Sequence, residues 1–245
     1  ALETYQKLFC EGNDSLEVRL KLIELHRAKG NVQRALEHIS SILNLPERRK
    51  PQNEAVFLQL HQMMREMKPT DLRSNRWLVD YHLAKGDKEK CVEILTQFIT
   101  NLEREGDTYE QVHAYERLLS IDDRYEHRWG LAKAQEKLGK VAEARREIRC
   151  LANLALRRKE FDQASKALEE ILESAPLDIE ARKLRCELQE ARGETEGALK
   201  SCEDIALLEI LCGNVQEAEQ YCRHLPAERS STPEIVRRIG GLCGA

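Results

Sequence analysis

Ala35 and Ala55, Cys91 and Gln111, Ala144 and Ala164, and Ala198 and Ala218 are pairs of positions twenty residues apart, and the pairs themselves recur: from 35 to 91, 144 and 198 the steps are 56, 53 and 54. Such a period marks an internal repeat of supersecondary units. One unit cannot bury its own apolar face, so neighbours must stack into an array whose length counts repeats, not domains. Charged residues make up 33% of the chain and aromatics 5%, a balance that suits helices and leaves few alternating runs for a sheet. The chain therefore reads as all-α.

The recurring position sits in a wider pattern, plain in Ala-Lys-Gly-Asn-Val-Gln-Arg-Ala (28–35), Ala-Lys-Gly-Asp-Lys-Glu-Lys-Cys (84–91), Lys-Leu-Gly-Lys-Val-Ala-Glu-Ala (137–144) and Leu-Cys-Gly-Asn-Val-Gln-Glu-Ala (211–218). Glycine suits the left-handed residue that ends one helix, and the Asn or Asp beside it suits the start of the next. The small residue lets two helices approach, and apolar residues four and seven further on continue the buried face. Turn markers fall at 30, 50, 86, 106, 139, 159, 193 and 213, with alternating gaps near 20 and 34. Three helices then fit each unit, predicted at 15–29, 31–48 and 52–67; 71–85, 87–104 and 108–120; 124–138, 140–157 and 161–174; 178–192, 194–211 and 214–224. The middle helix of each unit serves twice, pairing with its predecessor and with its successor. Residues 1–10 read as the third helix of a preceding unit, and Ser231-Thr232-Pro233-Glu234 as the start of a terminal helix near 233–241. An array with such ends exposes apolar faces through which copies could associate.

These residues resemble the tetratricopeptide repeat family, a helix–turn–helix unit of about 34 residues. Residues 15–46 match best, with Leu22, Ile23, Gly30, Val32, Ala35, Ile39, Ile42 and Pro46 at signature positions and Arg19 where the family has a large aromatic. The resemblance implies a right-handed solenoid, or superhelix, of antiparallel helices spanning 1–245 as a single domain, with units at 15–67, 71–120, 124–174 and 178–224.

The other signals exclude more than they assign. Against 43 acidic residues stand 39 basic ones, a net charge of −4, which gives no field for nucleic acid or an anionic membrane. Arg48-Arg49-Lys50 and Arg157-Arg158-Lys159 occupy equivalent helix C-termini, where the dipole favours cations. No apolar stretch approaches the roughly 20 residues of a membrane span. None of the eight cysteines forms a Cys-x-x-Cys pair or stands at zinc spacing to a histidine. Cys91, Cys202 and Cys222 fall on apolar positions and read as reduced packing residues, which points to the cytoplasm; no metal and no cofactor are expected. Catalytic motifs are missing, and Asp122-Asp123 reads as helix capping.

By the resemblance, the first helix of each unit lines a concave surface and meets a partner peptide or helix through its second, fifth, ninth and twelfth positions. Those positions include Arg73, Arg76 and Asp80; Glu126, Trp129, Lys133 and Glu136; and Glu180, Lys183, Glu187 and Glu190. Trp77, one step out of register with Trp129, is expected to pack between helices. The ninth positions, Glu24, Asp80, Lys133 and Glu187, lack the Asn that one subgroup uses to grip a chaperone's terminal carboxylate. The resemblance thus implies a non-catalytic scaffold that binds another protein. The alternative is a regulatory or localising segment of a larger enzyme or signalling protein whose catalytic domain lies outside this chain.

Overall fold

The computed structural model describes residues 1–13, 15–44, 54–223 and 225. Among these residues are thirteen α-helices and no strand: α1 (Leu2–Cys10), α2 (Leu16–Ala28), α3 (Val32–Leu43), α4 (Glu54–Met67), α5 (Leu72–Ala84), α6 (Lys88–Glu105), α7 (Thr108–Leu119), α8 (Tyr125–Lys137), α9 (Val141–Arg157), α10 (Phe161–Ser174), α11 (Ile179–Arg192), α12 (Thr195–Leu211) and α13 (Val215–Cys222). The all-α expectation is borne out, and each of the twelve helices expected between 15 and 224 has its counterpart. Pro46, the run at 48–50 and the expected helix at 233–241 lie outside the described residues. The chain divides into two compact units, Ala1–Asp123 and Arg124–Ala245.

The turns between helices follow from local chemistry. Gly106 takes φ 78°, which lets the N–H of Asp107 reach back to the Leu102 carbonyl at 3.0 Å and close α6. The Asp107 carboxylate then accepts the N–H of Glu110 at 3.1 Å and opens α7. Lys159 stands at the equivalent turn between α9 and α10 with φ 60°, the one non-glycine at positive φ among the described residues. A side chain there costs about 1 kcal/mol. Asp122 and Asp123 do not hold the cap position expected of them: the N-cap of α8 is Arg124, whose side chain makes no cap bond.

The repeated position is the fourth residue of its helix and is buried at Ala35, Cys91, Gln111, Ala144, Ala164, Ala198 and Ala218. Ala55 is the exception. It is exposed, and Phe57 takes its place, because Phe57, Leu60, His61 and Met64 in α4 repeat the buried spacing of Ala164, Ala167, Leu168 and Ile171 in α10. The step from 35 is therefore 22 there, two residues longer than elsewhere, while 57, 111, 164 and 218 keep steps of 54, 53 and 54.

Each middle helix packs on both flanking helices: α3 on α2 and α4, α6 on α5 and α7, α9 on α8 and α10, and α12 on α11 and α13. In the first compact unit one core gathers around Ile23, Ile39 and Leu60, and another around Leu78, Ile94, Phe98 and Leu118. Trp77 touches both and stacks between His61, at 4.3 Å, and Tyr81, at 5.3 Å, as the expected packing residue. In the second unit the main core contains Ala132, Ala144, Ala152, Ala155, Ala164, Ala167 and Ala181, so its helices meet over short side chains.

Two stability measurements test this account. Ala144→Leu is expected to lose about 1–3 kcal/mol in urea unfolding, since the site is sealed and overpacking strains its neighbours. Lys159→Gly is expected to gain about 1 kcal/mol by removing the side chain from a left-handed turn.

Candidate functional site

A groove of about 520 Å³ lies within the first compact unit, between α5 and α7 and above α6. Val79 from α5, Leu95 and Phe98 from α6 and Ala114 from α7 give it an apolar floor. Its rim alternates in sign, with Arg76 and Asp80 on α5 and Glu110, His113, Glu116 and Arg117 on α7. The α5 wall is held in place: the Asp71 carboxylate accepts the Ser74 N–H at 2.9 Å, and buried Asn75 donates through Nδ2 to the carbonyls of Pro69 and Asp71, both at 2.9 Å.

The rim charges meet across the groove in two pairs and along α7 in a third. Arg117 donates to Asp80 at 2.7 Å, Arg76 stands 3.8 Å from Glu110, and His113 Nδ1 lies 3.1 Å from Glu116. With Asp80 67% and Arg117 46% exposed, their pair is worth no more than about 1 kcal/mol, so either group can change partners at small cost. Arg73, expected beside them, is turned elsewhere: its guanidinium bonds Asn44 Oδ1 at 2.6 Å and the Leu43 carbonyl at 3.1 Å, tying α5 to the end of α3.

In the second unit the first-helix positions are engaged internally. Trp129 is half-buried against the alanine-rich core, stacks on Tyr125 at 5.9 Å and is flanked by the ammonium groups of Lys133 and Lys166, at 5.4 and 5.5 Å from its ring. Lys133 donates to Glu136 at 3.0 Å and to Glu170 on α10. Asp80 with Arg117 and Lys133 with Glu170 are equivalent pairs, each 37 residues apart and spanning first to third helix, with the charges exchanged. Lys183 reaches Glu180 at 3.2 Å, Glu209 at 2.9 Å and Glu217 at 3.8 Å. Burial alone would lower its pKa, but the carboxylates of Glu209 and Glu180 outweigh it and raise the value. Glu209 is 1% exposed and is held below the ordinary carboxylate range by the Asn214 amide and by Lys183. Glu187 is exposed on α11.

The α7 rim, Glu110, His113, Glu116 and Arg117, escaped the sequence reading, which assigned binding to first helices alone. The signal available, for Arg117 alone, was its spacing of 37 residues from the opposite charge of Asp80.

The cysteines divide by burial. Cys91, Cys186 and Cys202 are buried, Cys222 is half-buried instead of the core residue expected, and Cys10, Cys150 and Cys212 are exposed. Cys91 donates to the Val79 carbonyl at 3.4 Å. Cys186 and Cys202 stand with their sulfurs 3.3 Å apart, and burial together with Cys202 pushes the Cys186 thiol up to about 12. Their sequence separation resembles no ligand motif, yet each occupies a fixed place relative to Ala198, twelve residues before and four after, and that register brings them face to face.

Residues 151–210 match the tetratricopeptide repeat family model. The matched stretch runs from within α9 through α10 and α11 into α12, so it takes in one of the helix pairs and its neighbours. No curated protein matches the chain. Among solved structures, a tetratricopeptide repeat protein from Parabacteroides merdae ATCC 43184 is 16% identical, with 94% of this chain and 98% of that one covered and a TM-score of 0.30. YrrB, a TPR protein with an unusual peptide-binding site, is 12% identical over 90% of this chain and 100% of that one, at a TM-score of 0.27. The structure of Naa15/Naa10 bound to HypK-THB is 15% identical over all of this chain and 43% of that one, at 0.28. Likenesses at these scores carry no weight for function. No helix among the described residues is long and apolar enough to cross a membrane.

The Lys183–Glu209 pair sets a pH dependence. Glu209, depressed from its ordinary 4.5, contributes stability that is present above that value and lost as pH falls through the folded value. Lys183, raised from 10.5, contributes stability that is complete below 10.5 and lost only as pH rises beyond it. Thermal unfolding followed against pH is expected to show Glu209→Gln with a flatter acid limb than the parent below about pH 4.5. At neutral pH Lys183→Met, which strands the buried Glu209 carboxylate, is expected to cost about 3 kcal/mol.

Proposed function

We propose that this protein is a non-catalytic interaction module that holds a segment of another protein, an amphipathic peptide or helix, in the groove between α5 and α7. The observation that carries this reading is the groove itself: an apolar floor of Val79, Leu95, Phe98 and Ala114 beneath a rim of alternating charge. A partner's apolar side chains would lie on the floor, where burial supplies affinity. Its charged side chains would meet the rim, where sign and order supply selectivity. Asp80 and Arg117 are suited to that exchange, because their mutual pair is exposed and cheap to open.

Arg76 and Asp80 are thus the binding positions from the first-helix set, joined by Glu110, His113, Glu116 and Arg117 from α7. The engagement of Trp129, Lys133, Glu136 and Lys183 by their own unit favours a bracing role for them, and leaves exposed Glu126 and Glu187 among the contact candidates of the second unit. The buried thiols Cys91, Cys186 and Cys202 suit a reducing compartment such as the cytoplasm.

The test uses a library of amphipathic peptides of mixed charge pattern, with binding followed by fluorescence anisotropy. Peptides selected by the parent chain are expected to bind Asp80→Arg at least about tenfold more weakly, a loss of about 1.4 kcal/mol, with helical circular dichroism unchanged. The double variant Asp80→Arg/Arg117→Asp restores a pair of reversed polarity, as Lys133 and Glu170 already have, and is expected to select peptides of the opposite charge order. Equal binding of one peptide set by all three chains would place recognition outside this groove.

A further inference from the structure

Cys186 and Cys202 have no counterpart in the other three units. In register with the repeated position, their places are taken by Ile23 and Ile39, by Val79 and Leu95, and by Ala132 and Ile148, all buried aliphatic residues. Packing at this pair is therefore met three times without a thiol. In the fourth unit both members change together, and their sulfurs stand 3.3 Å apart between α11 and α12.

A third donor completes the arrangement. Glu190 follows Cys186 by one helical turn, with its carboxylate oxygen 4.0 Å from the Cys186 sulfur, and the three ligand atoms of Cys186, Glu190 and Cys202 all lie within 4.8 Å of one another. The carbonyl oxygen of Ala198 stands 3.6 Å from the same sulfur. An opening of about 270 Å³ lined by Glu190, Gly193, Thr195, Ala198, Leu199 and Cys202 leads to the group, giving an entry path and room for water.

We propose that Cys186, Cys202 and Glu190 form a binding site for a thiophilic divalent cation, zinc, which would clamp α11 to α12. Sulfurs about 2.3 Å from a tetrahedral zinc lie about 3.8 Å apart, and a carboxylate oxygen at about 2.0 Å lies about 3.5 Å from each sulfur. The present separations of 3.3 and 4.0 Å each require a shift of about half an ångström to reach those values. A disulfide bond at about 2.05 Å would require the sulfurs to close by more than twice the shift that zinc asks of them. Two thiolates and a carboxylate also match the donor softness and charge that zinc accepts. On binding, each thiol releases its proton to solvent and nothing is oxidised or reduced. The fourth position falls to water from the opening or to the Ala198 carbonyl.

The test titrates the reduced full chain with Co²⁺ as a spectroscopic substitute and then displaces it with Zn²⁺. The control is the double variant Cys186→Val/Cys202→Ile, whose residues are those the other units carry at these places, so folding is retained and is checked by circular dichroism. The expected result is a sulfur-to-cobalt charge-transfer band in the parent that saturates at one equivalent more than in the double variant and bleaches with zinc. Glu190→Ala is expected to weaken cobalt binding at least about tenfold. Zinc is expected to raise the melting temperature of the parent and leave that of the double variant unchanged. Equal sulfur-to-cobalt absorption in the two chains would overturn the proposal. So would a Cys186–Cys202 disulfide as the only product of treatment with metal under air, detected by peptide mass spectrometry.

Discussion

Close contact at the fourth residue of the middle and third helices governs the rest of the architecture. That residue enters the interface within a turn of the helix start, so its bulk fixes how near the incoming helix can lie and which face it buries afterwards. The positive-φ turn just before it works with this contact, because it reverses the chain in so few residues that the next helix must begin against the last. Gly106 and Asp107 divide the task, one ending α6 and the other opening α7. Where Lys159 replaces glycine, the turn keeps the same backbone bond, Glu160 N–H to the Ala155 carbonyl at 2.9 Å, which indicates that packing on both sides holds a conformation the residue itself disfavours.

The helix pattern was legible because it rests on local chemistry: a glycine at a turn, a carboxylate beside it, and apolar residues at helical spacing. Ala55 escaped because periodicity alone cannot register two extra residues between α3 and α4. Only the buried face, beginning at Phe57, reveals the shift. The groove was half legible. Arg76 and Asp80 follow from their place on a first helix, whereas the opposing wall of Glu110, His113, Glu116 and Arg117 depends on which face α7 turns toward α5, a matter of tertiary packing. Cys202 alone reads as a small apolar residue, and its meeting with Cys186 emerges only when both are indexed to the same alanine.

Polar side chains in this fold serve two purposes that the sequence does not separate. Exposed pairs on the groove rim are weak and exchangeable, so they are available to a ligand. Glu209 is the opposite case, sealed at 1% exposure and satisfied by Lys183 and Asn214, so its charge is tolerable only while those partners stay. The same residue types are thus open to exchange on α5 and α7 and fixed as struts on α11 and α12, and burial decides which.

The exchanged polarity of the 37-residue pairs has a consequence for assembly. Repeats of similar sequence compete for one another's helices while the chain folds, and an array is prone to settle with a helix from one repeat docked in another. Here such an exchange would set Asp80 against Glu170, or Lys133 against Arg117, like charges where the native chain has opposite ones. Two modest surface pairs therefore disfavour an exchange of α7 and α10 between these two repeats.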